Sequence, residues 1–196
     1  MQQGWQRIIS FSQFSLSLVL TFSWFPAFHN GLKHLLHSCN FISSVLMKWI
    51  TREKVKVDRV ACPWLIKKFI DGGAEFIFVP ANEVEAKARE LSAIPFDIDG
   101  CELGHHGEDV SFNSIQKKHN LTEPALVLLG EIVRAADSHP RKPHPAGEGL
   151  RWIAFGFNAL GLSDHEILER EFVVYDALYA ECKRRVEKRE ALRRDG

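Results

Sequence analysis

The sequence predicts an α/β fold, with α+β as the alternative: a small, mostly parallel sheet with flanking helices and a helical C-terminal half. Short β-prone runs alternate with helical patterns from Lys48 to Ile98, which is the order expected of βαβ units. From Phe112 onward the patterns are helical. The 196 residues are 45% hydrophobic and 26% charged, which fits one globular domain with a core of its own.

Three strands and two helices are expected in the first half of this domain. Pro63 suits the first turn of a helix, where its missing N–H costs nothing, and Asp71-Gly72-Gly73 ends that helix. Asn82 is expected to cap the second helix, which runs through about Leu91. The expected strands are residues 48–51, 75–80 and 93–98.

Four helices are expected in the second half. The last one begins at Ser163, with Glu166 three residues on, which is a capping-box pattern. The basic stretch at residues 183–189 is expected to be a solvated tail, and residues 139–145 a flexible, Pro-rich basic loop. The other three helices are expected at residues 112–119, 123–136 and 148–160.

The first 46 residues differ in composition from the rest, since they contain no acid and only Arg7 and Lys33 as basic residues. We take residues 1–46 as an apolar extension outside the fold and 47–196 as the domain. Three interpretations stay open: a translation start at Met47, a membrane anchor over residues 8–28, or a cleaved signal. We expect no membrane association unless residues 8–28 form a real anchor.

Charge and cysteine usage exclude several functional classes. The 25 basic residues balance the 25 acidic ones, and the chain has no helix-turn-helix signature, so we expect no direct nucleic-acid binding. There is no P-loop, GxGxxG or GxSxG motif either. The four cysteines form no CxxC pair. Reduced thiols and a cytoplasmic location are therefore expected.

A first candidate site, for a small oxyanion, combines Arg59, Cys62 and Lys68. A helix start near Cys62 would present free backbone N–H groups, and a guanidinium could bind a tetrahedral oxyanion bidentately. The competing interpretation places Cys62 in the core, makes Asp58 a cap or ion-pair partner of Arg59, and leaves Lys68 on the surface.

A second candidate site, for a divalent metal such as Zn, Mn or Fe, combines Glu102, His105, His106 and His165. Adjacent residues of an extended segment point in opposite directions, so His105 and His106 are not both expected in one pocket. The alternatives are a surface turn without a role and, for the segment of His165, helix capping. Arg134 and Asp137 are expected to form a surface ion pair.

Several motifs, in order and at matching spacing, resemble the C-terminal domain of the ChrB family of bacterial chromate-resistance proteins. They are 48–53 (KWITRE), 57–66 (VDRVACPWLI), 76–80 (FIFVP), 94–97 (IPFD), 102–107 (ELGHHG), Phe112, 164–166 (DHE) and 175–179 (YDALY). The resemblance implies a cytosolic protein linked to chromate sensing or resistance. Full-length regulators of this family resemble a winged-helix domain joined to this one. Nothing like that half precedes Met47, so we expect no repressor activity from this chain alone.

We therefore expect a chromate-resistance domain that binds or senses a small oxyanion such as chromate, or a metal. The alternative is a metal- or thiol-dependent oxidoreductase in chromate detoxification; enzymatic activity is the less favoured of the two. A third interpretation is an interaction module. A homodimer is left open.

Overall fold

A computed structural model of the chain describes residues 47–138 and 143–195. Within those ranges the strands are β1 (Lys48–Arg52), β2 (Glu75–Val79) and β3 (Ile94–Pro95). The α-helices there are α1 (Val57–Phe69), α2 (Val84–Leu91), α3 (Ser111–Lys118), α4 (Pro124–Asp137), α5 (Pro145–Ala159) and α6 (Asp164–Arg194). In chain order they follow as β1, α1, β2, α2, β3 and α3 to α6, with a 3-10 turn at Ala81–Glu83 before α2.

The sheet is parallel, with β1 in the middle and the order β2-β1-β3. A helix connects each strand to the next along the chain, α1 between β1 and β2 and α2 between β2 and β3. Parallel strands need such a crossover connection. Trp49 of β1 packs into the main core, while Ile50 packs with Val84 and Ala88 of α2 on the opposite face. Helices therefore cover both faces, which confirms the predicted α/β class with a parallel sheet and a helical C-terminal half.

The first helix begins earlier than the sequence predicted. It starts at Val57, so Pro63 lies inside it and not in its first turn. The proline N–H is missing from the helical ladder, but the neighbouring turns are fully buried by packing, and that packing holds the helix together. The free N–H groups of this helix start consequently lie near Val57, more than one turn before Cys62.

Other element boundaries also differ from the expectations. Asn82 lies in the 3-10 turn and makes no side-chain cap, β3 is shorter than expected, and α5 begins at Pro145, which suits a first helical turn. The capping box of Ser163 and Glu166 is confirmed. Residues 183–189 continue α6 as helix.

Residues 1–46 and most of the 139–145 loop lie outside the described residues, so the interpretations of those segments stay predictions. Within the described ranges, no helix is both long enough and apolar enough to cross a membrane.

One buried carboxyl group of α6 has no hydrogen-bond partner among the described residues. Glu171 is fully buried, and neither of its carboxylate oxygens is bonded. Burial raises the pKa of Glu171 to about 7 from 4.5, because removal from water penalises the charged form. The folded state therefore holds this proton over a pH range in which the unfolded chain releases it.

We predict that Glu171→Gln stabilises the protein more as the pH rises. Between pH 4.5 and about 7 the unfolded chain releases the Glu171 proton while the folded protein keeps it. The protonated Glu171 therefore does not reduce wild-type stability below pH 4.5, and the loss of stability is complete above pH 7. The variant's advantage should grow by about 3 kcal/mol across that window. Urea unfolding at pH 4.5 and pH 8 measures it. The exposed Glu169→Gln serves as the control, and equal pH dependence of both variants would contradict the prediction.

Candidate functional site

A cluster of polar residues lies where the strands end, at the carboxyl edge of the parallel sheet. Asp58 is in the first turn of α1, which follows β1, and Asp97 comes two residues after β3. His105 lies in the turn before α3, and Asp137 is the last residue of α4. Ligand sites of open α/β folds occur at this edge.

Three carboxylates surround one imidazole nitrogen at nearly equal distances. His105 Nε2 lies 3.3 Å from Asp97 Oδ1, 3.4 Å from Asp137 Oδ2 and 3.5 Å from Asp58 Oδ2. A charged N–H···O bond is usually about 2.7–2.9 Å long, and one N–H cannot point at three acceptors. A single proton on Nε2 therefore does not account for three carboxylates at nearly equal distances.

Asp97 joins the cluster to the arginines of the sheet edge. Arg59 donates from Nη1 to Asp97 Oδ2 at 2.9 Å and from Nη2 to the carbonyl of Lys54 at 2.9 Å. Arg52 Nη2 lies 3.5 Å from the same carboxylate oxygen. Asp97 Oδ1 accepts from the Ser111 hydroxyl at 3.1 Å. Asp97 also has φ +49°, a left-handed conformation that non-glycine residues adopt at a cost.

Asp58 fixes the start of α3. Its Oδ2 accepts from the backbone N–H of Ser111 at 2.6 Å, and its Oδ1 accepts from that of Phe112 at 3.3 Å. The carboxylate thus occupies the positive end of a helix. The expected alternative for Asp58, a cap, fits these contacts, although the capped helix is α3.

The ionisation of the cluster follows from these contacts. Its carboxylates raise the pKa of His105 to about 12, with Asp137 the largest contributor, then Asp58 and Asp97. Burial raises the pKa of Asp58 to about 7 against the lowering effect of His105. Burial would also raise the pKa of Asp97, but the contact with His105 and the charge of Arg59 outweigh it and hold that pKa below its ordinary value.

The donors fit a divalent metal ion. One ligand atom from each of Asp58, Asp97 and His105 lies within 4.8 Å of the other two. Ligands about 2.1 Å from one cation lie about 3.0–3.5 Å apart in octahedral or tetrahedral geometry, and the distances from Nε2 to the carboxylates fall in that range. Asp137 would add a third carboxylate, and a metal would take the place of the proton on Nε2.

The structure keeps the three predicted oxyanion residues apart. Cys62 is fully buried in the core, and burial raises the pKa of its thiol well above the ordinary value. Lys68 pairs with Asp176 of α6 at 2.8 Å. Lys68 lies nine positions after Arg59 in the helix, about 13.5 Å along the axis. Of the three, only Arg59 reaches the cluster.

The predicted metal residues are divided in the same way, because only His105 enters the cluster. His106 points elsewhere, with Nε2 2.9 Å from the carbonyl of Glu102. The carboxylate of Glu102 pairs with Lys118. The His165 ring packs edge-on against Phe78, 5.1 Å between ring centroids.

Sequence reasoning did not include the three aspartates among the candidate site residues. Asp137 was expected to pair with Arg134, whose nearest acid is instead Asp109, at 3.9 Å. A usable signal existed, since Asp58 and Asp97 each follow a predicted parallel strand and so belong at one edge of the sheet. No sequence signal pointed to Asp137, because the packing of α4 brings it there.

Comparison with known proteins decides the family. A family profile described as "ChrB, C-terminal domain" matches residues 49–182, which is most of the chain. The chain belongs to the ChrB family. The Protein ChrB of Cupriavidus metallidurans is 32% identical over 133 residues, 67% of this chain and 40% of that protein. No solved structure matches the chain significantly.

Family membership supports the association with chromate resistance that the motifs implied. The chain spans about two-fifths of the length of that ChrB protein. The cluster lies entirely inside the matched ChrB region, since Asp58, Asp97, His105 and Asp137 all fall between residues 49 and 182.

We predict that Asp97→Ala destabilises the metal-free protein by about 3–5 kcal/mol, because it leaves the buried Arg59 guanidinium without its counter-charge. Chemical denaturation in the presence of a chelator measures the loss. Asp99→Ala, two residues on and exposed, is the matched control and should change stability by less than about 0.5 kcal/mol. Similar losses in both variants would show that Asp97 does not balance Arg59.

Proposed function

We propose that this ChrB domain acts in chromate resistance by binding a divalent metal ion through Asp58, Asp97, His105 and Asp137. The observation that supports this most is the near-equal spacing of three carboxylate oxygens around one imidazole nitrogen, 3.3 to 3.5 Å. A cation shared by four ligands satisfies that geometry, whereas a single proton does not.

The charge of the cluster favours a cation over an anion. Three carboxylates converge there, and the nearest guanidinium, that of Arg59, already binds Asp97 and a backbone carbonyl. A chromate dianion placed among those carboxylates would be repelled. An oxyanion would therefore reach the site as a ligand of the bound metal, at a coordination position that the protein leaves open.

The donor set narrows the choice of metal. One imidazole and three carboxylates, without a thiolate, suit Zn²⁺, Mn²⁺ or Fe²⁺. Asp58 and Asp97 are buried and held by hydrogen bonds, so they are preorganised. His105 and Asp137 are partly exposed, at 45% and 24% of their side chains, and give the ion a path from solvent. The hydrogen bonds that Asp58 and Asp97 make to other protein groups would orient them toward the ion, as hydrogen bonds to metal ligands commonly do.

A cytoplasmic location is part of the proposal. Cys62, Cys101 and Cys182 are free thiols, as expected in a reducing compartment. Because Cys62 is fully buried, the metal, not this thiol, would carry any redox chemistry at the site.

Metal binding is tested with the full chain after chelator treatment. Zn²⁺, Mn²⁺ and Fe²⁺ are added separately, the last without oxygen, and bound metal and thermal stability are measured. We predict one ion per chain for at least one of these metals. At a hundredfold excess over Kd the stabilisation should be about 2.7 kcal/mol, roughly 5–10 °C in Tm. His105→Ala and Asp137→Asn should each bind at least about tenfold more weakly.

The matched control is His106→Ala, which removes the adjacent imidazole outside the cluster and should bind like wild type. Absence of metal binding, or equal binding by His105→Ala and wild type, would refute the proposal. Adding chromate to the metal-free chain distinguishes the metal site from the competing interpretation, an oxyanion site at Arg59. Stabilisation by chromate alone that Arg59→Ala abolishes would favour that site.

A further inference from the structure

An uncharged helix face remains exposed on the side of α5 that points away from the core. Trp152 is 72% exposed and Leu160, just after the helix, is 65% exposed; Ile153 and Phe155 are each 41% exposed. On the helical wheel Trp152, Ile153 and Leu160 lie within about 100° of one another, together with Gly149 and Gly156. An apolar stripe of this kind on a folded domain marks an interaction surface.

The two glycines make this face self-complementary. Gly149 and Gly156 are seven residues apart, about 10 Å along the helix, and nothing lies within 4 Å of the position of a Cβ on either. An antiparallel second helix, with its two-fold axis between Trp152 and Ile153, sets Gly149 opposite Gly156 of the second copy. Each Trp152 then packs beside Ile153 of the second copy, over backbone that the glycines leave uncovered. A two-fold interface requires such self-matching.

Charges at the edge of the stripe favour the same antiparallel arrangement, although Glu148 also lies 3.8 Å from Arg151 of its own copy. Glu148, near the N-terminal end of α5, accepts from Trp152 Nε1 at 2.7 Å. Lys56 lies toward the C-terminal end, with Nζ 5.2 Å from the centroid of the Phe155 ring. Antiparallel pairing brings Glu148 of one copy toward Lys56 of the other, twice per dimer. Parallel pairing would set like charges together.

The available area is sufficient for a small dimer interface. Together, Trp152, Ile153 and Leu160 of the stripe and Phe155 beside it expose roughly 500 Å², and a standard interface buries about 800 Å² per partner including its polar rim. The glycines, Glu148 and Lys56 would supply much of the remainder.

We propose that the occupant of this face is a second copy of the chain, packed antiparallel through α5. This inference is independent of the metal site, whose four residues lie on other elements. It gives a specific interface to the homodimer that the sequence left open.

Sedimentation velocity of the full chain over a range of concentrations tests the dimer. Wild type should be dimeric at micromolar concentration, and Trp152→Glu should dissociate at least about tenfold more readily. The matched control is Val173→Glu, at an equally apolar position of α6 that is 65% exposed, which should leave the dimer unchanged. Circular dichroism checks that both variants are folded.

A charge exchange tests the orientation. Glu148→Lys and Lys56→Glu should each weaken the dimer about five- to tenfold, since every pair occurs twice. The double variant should recover most of the affinity. Recovery supports the antiparallel pair, and additive losses would overturn it.

The proposal fails if wild type is monomeric throughout, or if Trp152→Glu and Val173→Glu behave alike. A monomer that binds anionic lipid vesicles through Trp152 would assign the face to a membrane surface and would also overturn it.

Discussion

The shared carboxylate of Asp97 is the contact on which the organisation of this domain depends. It binds Arg59 on one oxygen and faces His105 with the other, and it lies where β3 ends. Because it is buried, its charge has to be balanced within the protein, and Arg59 from α1 provides that balance. The same pair fixes the loop after β3 against the helix after β1. This ion pair consequently links the site to the βαβ connection.

The remaining cluster residues show the same coupling between fold and site. Asp58 holds the start of α3 through two backbone N–H groups, so a candidate metal ligand is also a structural cap. Packing of α4 against α1 brings Asp137 to within 3.4 Å of His105. Tyr175 of α6 donates to the carbonyl of Val57 at 2.9 Å and ties the last helix to the first turn of α1. The four cluster residues therefore come together from segments that are distant in sequence: α1, the loop after β3, the turn before α3 and the end of α4.

The sequence was sufficient for the fold class, because hydrophobic periodicity and capping residues act locally. The strands 48–52 and 75–79 and the capping box at Ser163 follow from such patterns. The predicted start of α1 was wrong because it was placed by Pro63. Tertiary burial of the helix outweighed the local preference of proline for a first turn. For the site, the sequence supplied Arg59 and His105 and missed the aspartates. Their convergence depends on which strand ends are neighbours and on how α4 packs, and neither is encoded in local spacing.

The incorrect start of α1 also explains why the oxyanion site was expected in the first place. With Pro63 in a first turn, Cys62 would have faced free N–H groups and a positive helix end. With the start at Val57, that positive end lies beside Asp58, a carboxylate, and Cys62 becomes core. Moving this helix boundary by about one and a half turns therefore changes the ligand we expect at this edge from an anion to a cation. The acidic groups at the carboxyl edge of the sheet are the physical reason to look for a metal there before a free oxyanion.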